Sequence, residues 1–341
     1  MKIIEANAEY LDVKDMHPYQ FMELAGRTCY KSESKITENS AKQFVDTLKK
    51  NKHTAMLEHA HIILQTTEEH AMAFASKLNA SRYLHDGNEV PAQHIHVTIH
   101  QLEDKGHYIS GSFRAFMQLY APNQSDMHHV YKADLTDYLL LNALSTEYPD
   151  MFQLPDDKTP IEPTDCKVIS RDEFVRQVIN AYDDFAEQRY VIAKHLTHTV
   201  RFTCDRGVSH EFVRHRPASF AQESTRYCNY SSDKFGNEIT VIRPCFWRPD
   251  SGEMIFWENS CENAESIYFK LLESGATPQE ARSVLPNSLK TELIITATEE
   301  EWQHIINLRY HGTTGKPHPQ MYEVMKIAYP LLTKASDHRL K

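Results

Sequence analysis

Helices and strands interleaved in one continuous fold, a mixed α/β class, are what this 341-residue sequence predicts, on three local patterns. Within residues 38–51, Phe44, Val45 and Leu48 fall on one helical stripe, and the stretch from His61 to Thr66 then reads as a short β-rich run. From Leu196 to Cys204 the apolar Leu196, Val200, Phe202 and Cys204 are interleaved with Thr197, Thr199, Arg201 and Thr203, the pattern of a half-buried strand. Two proline-punctuated helix signals, near Ser209 and Thr277, complete the picture.

Taken in order, the first helix, loop and strand occupy residues 38–66. The span from about 68 to 195 is less patterned and reads as an inserted elaboration of a single domain covering residues 1–341. Within it, Leu154-Pro155-Asp156-Asp157-Lys158-Thr159-Pro160 predicts an exposed loop. After the strand that closes at Cys204, Asp205, Arg206 and Gly207 supply a turn. Ser209 then caps a short helix running to Arg216, because the residue before Pro217 is pushed out of helical geometry. Thr277-Pro278-Gln279-Glu280 has an N-cap, a first-turn proline and a capping-box glutamate, and Pro286 stops that helix. Arg282 then lies within its first two turns, where backbone donors favour an anion.

Composition limits the function classes. With 41% hydrophobic residues the chain can bury a sizeable core. A net charge of -10 argues against non-specific binding to nucleic acid or membrane, so any anion site must be local. No stretch approaches the roughly 18 apolar residues that cross a bilayer, and Met1 to Lys14 is charged, so a cytoplasmic location is expected. The six cysteines are scattered without a C-x-x-C pair, which predicts reduced thiols rather than a disulfide framework or a zinc ribbon.

The chemistry concentrates in Arg214-His215-Arg216-Pro217-Ala218-Ser219-Phe220-Ala221-Gln222-Glu223-Ser224-Thr225-Arg226-Tyr227, where three arginines, a histidine and two serines fall within thirteen positions. On the expected helix, Glu211, Arg214 and His215 share one face, and Ser224 and Arg226 share one side of an extended segment. Guanidinium forks and hydroxyls so clustered suit a phosphate with its sugar or base. Spacing alone leaves two readings open, a phosphate site and a solvated salt-bridge patch.

The full pattern, R-H-R, seven residues and then S-x-R, resembles the signature of the flavin-dependent thymidylate synthases, as does the preceding run from Arg206 to Val213. His53-Thr54-Ala55-Met56-Leu57-Glu58-His59 resembles that family's H-x-x-x-x-E-H segment. Ala281-Arg282-Ser283-Val284-Leu285-Pro286 resembles its A-R-x-x-L-P element, and Leu308-Arg309 followed by His318, Gln320 and Glu323 resembles its L-R and H-A-Q-x-x-E region. The resemblance covers roughly residues 25 to 65 and 197 to 325.

What the resemblance implies is a mixed α/β (α+β) fold in a homotetramer whose active sites draw on more than one subunit. The implied reaction methylates dUMP to dTMP with FAD, methylene-tetrahydrofolate and NADPH. Glu211, Arg214, Gln222, Ser224, Thr225, Arg226, Arg282 and Arg309 would bind dUMP. Glu58, Arg214, His215, Arg216, Gln222 and His304 would contact FAD, with His53 on the folate or nicotinamide side. Arg309 would be catalytic: a guanidinium stays protonated and can stabilise negative charge developing at N3 and the adjacent carbonyl oxygen while reduced flavin supplies the hydride. Where the family has N-x-R and then an Asn four residues on, this chain has Thr298, Glu300 and His304. Ala55 stands for a hydroxyl-bearing residue, and Gly312 to Pro317 is an insertion. Ser110-Gly111-Ser112-Phe113-Arg114-Ala115-Phe116 resembles the displaced flavin contact, which would let Ser112 and Arg114 stand in for Thr298 and Glu300; on pattern alone the same run also reads as a turn leading into an amphipathic helix with Phe113, Phe116 and Leu119 on its buried face.

Other classes fit less well. His210-Glu211 lacks the second histidine of H-E-x-x-H, since Arg214 occupies that position, so no metal site is expected. An RNA-binding module would want a basic surface beside Tyr227 and Tyr230. The cysteine-dependent thymidylate synthases show a Pro-Cys-His run, whereas Pro244-Cys245 is followed by Phe246, which makes Cys245 a core residue.

Overall fold

The computed structural model describes residues 1–81, 97–102, 106–120, 135–161, 165–232 and 235–341. Their elements, in chain order, begin with β1 (Lys2–Ile4), β2 (Asn7–Tyr10), α1 (Pro18–Tyr30), α2 (Ser40–Lys50), β3 (His61–Thr66) and α3 (Glu68–Ser81). Then come β4 (Val97–Leu102), β5 (Gly106–Ser112), α4 (Phe113–Tyr120), α5 (Leu135–Glu147), β6 (Cys166–Ile169), α6 (Arg171–Ala181) and α7 (Phe185–His195). The remainder is β7 (Thr197–Asp205), α8 (Arg206–Phe212), β8 (Ser219–Gln222), β9 (Thr240–Ile242), α9 (Gly252–Glu273), α10 (Pro278–Ala281), β10 (Lys290–Thr298), α11 (Glu299–Arg309) and α12 (Pro319–Ala335). The mixed α/β class is therefore as expected.

The chain forms two compact units, residues 1–56 with 198–341, and residues 57–197. The first unit is built on a four-stranded sheet, β2-β7-β10-β8, with β1 and β9 paired in parallel beside it. Its core is laid down by the alternation read in the sequence: Val200, Phe202 and Cys204 of β7 are buried with Leu293 and Ile295 of β10 against Trp302 and Ile305 of α11 and Met321 of α12. At the start of α11, Thr298 accepts from the Glu301 N–H and caps the helix. Next to it, Glu299 is clamped by Arg339 (2.7 and 2.9 Å) and His198 (2.8 Å). Burial works to raise the Glu299 carboxyl, but Arg339 and His198 outweigh it and hold it below the usual range. The helix that carries His304 and Arg309 is thus anchored at its first turn.

The second unit is an antiparallel sheet, β4-β5-β3-β6, in which β3 pairs with β5 from His61↔Ser112 to Thr66↔His107. Ile63, Tyr108 and Ile169 pack there with Phe174 and Val178 of α6 and Val191 of α7. The elaboration expected at about 68–195 falls in this unit and lies partly outside the described residues. The unit also takes in residues 57–67, because β3 is a central strand of its sheet. Residues 155–160 are exposed, as their Pro- and Asp-rich composition predicts. All six cysteines are free thiols, and among the described residues no helix is long and apolar enough to cross a membrane.

Three local expectations are corrected. The turn at 205–207 is instead the start of a helix: Asp205 Oδ1 accepts from the Val208 N–H at 2.8 Å, so Asp205 is the N-cap and α8 runs from Arg206 to Phe212. Ser209 lies inside it, its hydroxyl donating to Arg206 O at 2.9 Å, and the helix ends four residues before Arg216. Residues 224–227 form a turn rather than an extended segment, since the Tyr227 and Cys228 N–H groups both donate to Ser224 O at 3.0 Å. The helix after Thr277 has its capping box, Glu280 accepting from the Thr277 N–H (2.8 Å) and hydroxyl (2.6 Å), but spans only Pro278–Ala281 before a 3-10 turn at Arg282–Val284. Arg282 therefore sits past its C-terminal end, away from the N-terminal donors.

Candidate active site

Every motif residue from Arg206 to Arg309 belongs to the first unit, and hydrogen bonds and ring contacts join several of them into three groups. The first is centred on Arg309, in the last turn of α11. Its Nη1 donates to Glu211 Oε2 at 2.9 Å, its Nη2 to Glu211 O at 3.3 Å, and its Nε to His215 Nε2 at 3.2 Å. Glu211 is on α8, whereas Arg214 and His215 lie in the turn beyond it, so the shared helical face expected for these three does not exist. Glu211 and His215 meet instead on Arg309. Buried His215 also bonds Glu301 through Nδ1 at 3.1 Å and has the exposed His304 ring edge-on at 5.6 Å.

The second group fixes Gln222, at the end of β8. Its amide donates to Ser209 Oγ of α8 (2.8 Å) and Thr291 Oγ1 of β10 (3.3 Å), which aligns strand, helix and central sheet. The third is the turn after β8, where Arg282 Nη1 donates to Thr225 Oγ1 at 3.2 Å and the Arg226 guanidinium lies 5.7 Å from the Tyr227 ring centre. Tyr227 also packs against Tyr30 (5.1 Å between centroids), whose hydroxyl is 3.1 Å from His53 Nδ1. A tyrosine pair thereby links His53 to the 224–227 turn, and Tyr30 is a neighbour that sequence reasoning missed.

Arg214, Arg216, Arg226 and Arg282 are all exposed, and among the described residues none of them makes an ion pair. Carboxylates outnumber Lys and Arg by ten in this chain, so four exposed guanidinium groups without an ion pair in two neighbouring motifs fit an anionic ligand better than a salt-bridge patch. His215 is different: both ring nitrogens already have partners, so neither is left for a new hydrogen bond. Thr298 is occupied as a helix cap, and Glu300 is exposed.

The remaining expected flavin residues lie in the second unit. Glu58 pairs with Arg114, and Ser112 Oγ accepts from the Ala115 N–H at 3.1 Å as the cap of α4. Sequence reasoning also missed Glu301, although the Thr298-x-x-Glu301 spacing that opens α11 carries a helix-start signal.

The family model described as "Thymidylate synthase complementing protein" matches residues 131–336, more than half of the chain, and the chain belongs to that family. The flavin-dependent thymidylate synthase of Pyrococcus furiosus is 31% identical over 142 residues, 41% of this chain and 55% of that protein. Its counterpart in Geobacter sulfurreducens is 33% identical over 104 residues, 30% and 43% of the two chains. That of Pyrococcus horikoshii is 28% identical over 149 residues, 43% and 58% of the two. The chain thus spans about half the length of the curated relatives it matches. Among solved structures, a UMP/dUMP methylase, PolB from Streptomyces cacaoi bound with 5-Br dUMP, is similar at a TM-score of 0.37 and 20% identity, over 47% of this chain and 80% of that one.

Proposed function

We propose that the protein is a flavin-dependent thymidylate synthase that methylates dUMP to dTMP, with FAD as cofactor and NADPH and methylene-tetrahydrofolate as co-substrates. The observation that carries this reading is the presence of exposed arginines without an ion pair beside an Arg309 hydrogen-bonded to Glu211 and His215, in a chain of this family.

In this reading Arg226 and Arg282, with Ser224 and Thr225 between them in the turn, take the dUMP phosphate. Gln222, fixed by Ser209 and Thr291, contacts the nucleotide together with Glu211 and Arg214. Three of the Arg309 N–H groups are taken by Glu211 and His215, and its remaining N–H donors face the pyrimidine. Held in that plane, the guanidinium stabilises negative charge at N3 and the neighbouring carbonyl oxygen without reorganising. Arg214, Arg216, Gln222, His215 and His304 contact FAD, which supplies the hydride when bound; Glu58 is assigned to FAD on its motif alone. His53 borders the folate or nicotinamide. Assembly as a homotetramer and a cytoplasmic setting belong to the same proposal, the latter supported by six free thiols.

The competing cysteine-nucleophile reading requires a reactive Cys245. Cys245 is exposed, not the core residue expected from the sequence, yet partial desolvation first, and the Glu323 carboxyl next, push its thiol up to about 11, so it stays protonated and weakly nucleophilic. Folded, flavin-loaded protein given dUMP, methylene-tetrahydrofolate and NADPH is expected to form dTMP, and Cys245→Ser is expected to do the same. A flavin-loaded sample that forms no dTMP overturns the proposal. Loss of all activity in a folded, flavin-replete Cys245→Ser variant revives the thiol mechanism.

A further inference from the structure

Arg309 is oriented by a chain that begins one layer deeper. Its Nε donates to His215 Nε2 at 3.2 Å, and His215 Nδ1 lies 3.1 Å from Glu301 Oε1. An arginine does not give up its protons, so His215 Nε2 must be the acceptor. The neutral imidazole then carries its hydrogen on Nδ1, and that N–H needs an acceptor in a buried place. Glu301 is the group that provides one, and both residues are buried.

We propose that Glu301 is a positioning residue for Arg309: it holds His215 in the Nδ1–H tautomer, and His215 Nε2 together with Glu211 then fixes the plane of the guanidinium. The inference rests on the reading of Arg309 as the group that faces the pyrimidine. The arrangement repeats a device of metal and triad sites, where a carboxylate behind a histidine sets which nitrogen is free to act.

His215, Glu301 and His304 also place possible metal ligand atoms within 4.8 Å of one another. A cation held at His215 Nδ1 would displace its hydrogen, and the ring could keep a neutral N–H only on Nε2, facing the Arg309 N–H. It would also stand beside a permanent guanidinium charge. Geometry therefore favours the hydrogen-bonded chain over a metal. The Glu301 backbone N–H, which caps onto Thr298 Oγ1, survives a side-chain change, so α11 keeps its start.

The experiment uses the full chain labelled with nitrogen-15 in histidine and arginine. The His215 tautomer and the exchange protection of the Arg309 Nε–H are read by NMR, alongside turnover. Wild type is expected to show the Nδ1–H tautomer and a protected Arg309 Nε–H. In Glu301→Ala that protection is expected to vanish and turnover to fall on the order of 10- to 100-fold with FAD content unchanged. Glu301→Gln, whose amide oxygen still accepts from Nδ1, restores both. An unchanged tautomer and Arg309 signal in Glu301→Ala overturns the proposal, as does Glu301→Gln behaving like the alanine variant, or one Zn²⁺ binding per chain through His215 and His304. Because the spectra are read without turnover, a protein that makes no dTMP yet keeps the wild-type signals counts against the function and not against the positioning.

Discussion

The two units treat their polar side chains in opposite ways. In the second unit they close on one another: Tyr108 donates to Gln177, Ser110 bonds His195 at 2.7 Å, and Glu58 pairs with Arg114. The first unit also neutralises its buried charges, with Glu292 held between Lys31 and Lys290 at 2.7 Å each. Yet among the described residues it leaves Arg214, Arg216, Arg226 and Arg282 exposed without an ion pair. A surface ion pair is worth little, so an isolated bare arginine means little. Four exposed arginines without an ion pair, all within two motifs of the first unit, mean more, because carboxylates are abundant elsewhere in the chain. The contrast separates arginines that serve the fold from arginines that await a ligand.

The strongest way to break that contrast is Arg309→Ala. If Arg309 acts on charge developing in the reaction, turnover should fall on the order of 100-fold or more while FAD content holds, as for loss of a preorganised donor. Equal loss of flavin and turnover would make Arg309 a folding residue. Arg226→Ala should cost about 2 to 3 kcal/mol of dUMP binding, or ~30- to 150-fold in affinity, the size of one lost charge-assisted contact. Titration calorimetry giving wild-type affinity would remove Arg226 from the phosphate site.

The neutralised side of the contrast is tested by pH. Burial works to raise the Glu292 carboxyl, but Lys290 and Lys31 outweigh it and bring its pKa from 4.5 to about 2. A carboxyl depressed in the folded state contributes stability that is present above pH 4.5 and lost as pH falls toward about 2. The contribution is on the order of 2 to 3 kcal/mol. Thermal unfolding of wild type and Glu292→Gln should therefore differ by a constant gap near neutral pH that narrows below pH 4.5. A gap that stays constant through that window would show that the lysines do not carry the effect.

How much of this was legible in the sequence follows the reach of the interactions. The period-two alternation of Val200, Phe202 and Cys204 placed β7, and the β-rich run at His61–Thr66 matched β3, because burial on one face is written locally. The start of α8 differs from the sequence reading because Asp205 and Ser209 are both competent caps: Asp205 takes the Val208 N–H, while the Ser209 hydroxyl bonds Arg206 O and Gln222. The dUMP motifs were readable as residue types at fixed spacing. Their geometry was not: Glu211 and His215 converge through Arg309, 98 and 94 residues away, and Glu301 reaches His215 across 86. The division at Leu57 was hidden because β3 pairs with strands much later in the chain.

The sharpest test of the contrast is the place where it bends. Arg114 is paired with Glu58, as the rest of the second unit would suggest, but its Nε is buried without a hydrogen-bond partner. A buried N–H left unsatisfied is costly, and a ligand that accepts from it removes the cost. Glu300 is exposed and acidic, a poor neighbour for the phosphates of FAD. FAD content measured side by side in Arg114→Ala and Glu300→Ala should fall in the first and hold in the second. The loss should be smaller than for Arg226, about 1 kcal/mol or several-fold in affinity, because Glu58 already takes part of the Arg114 charge. Unchanged flavin in Arg114→Ala would return Arg114 to the closed, structural set.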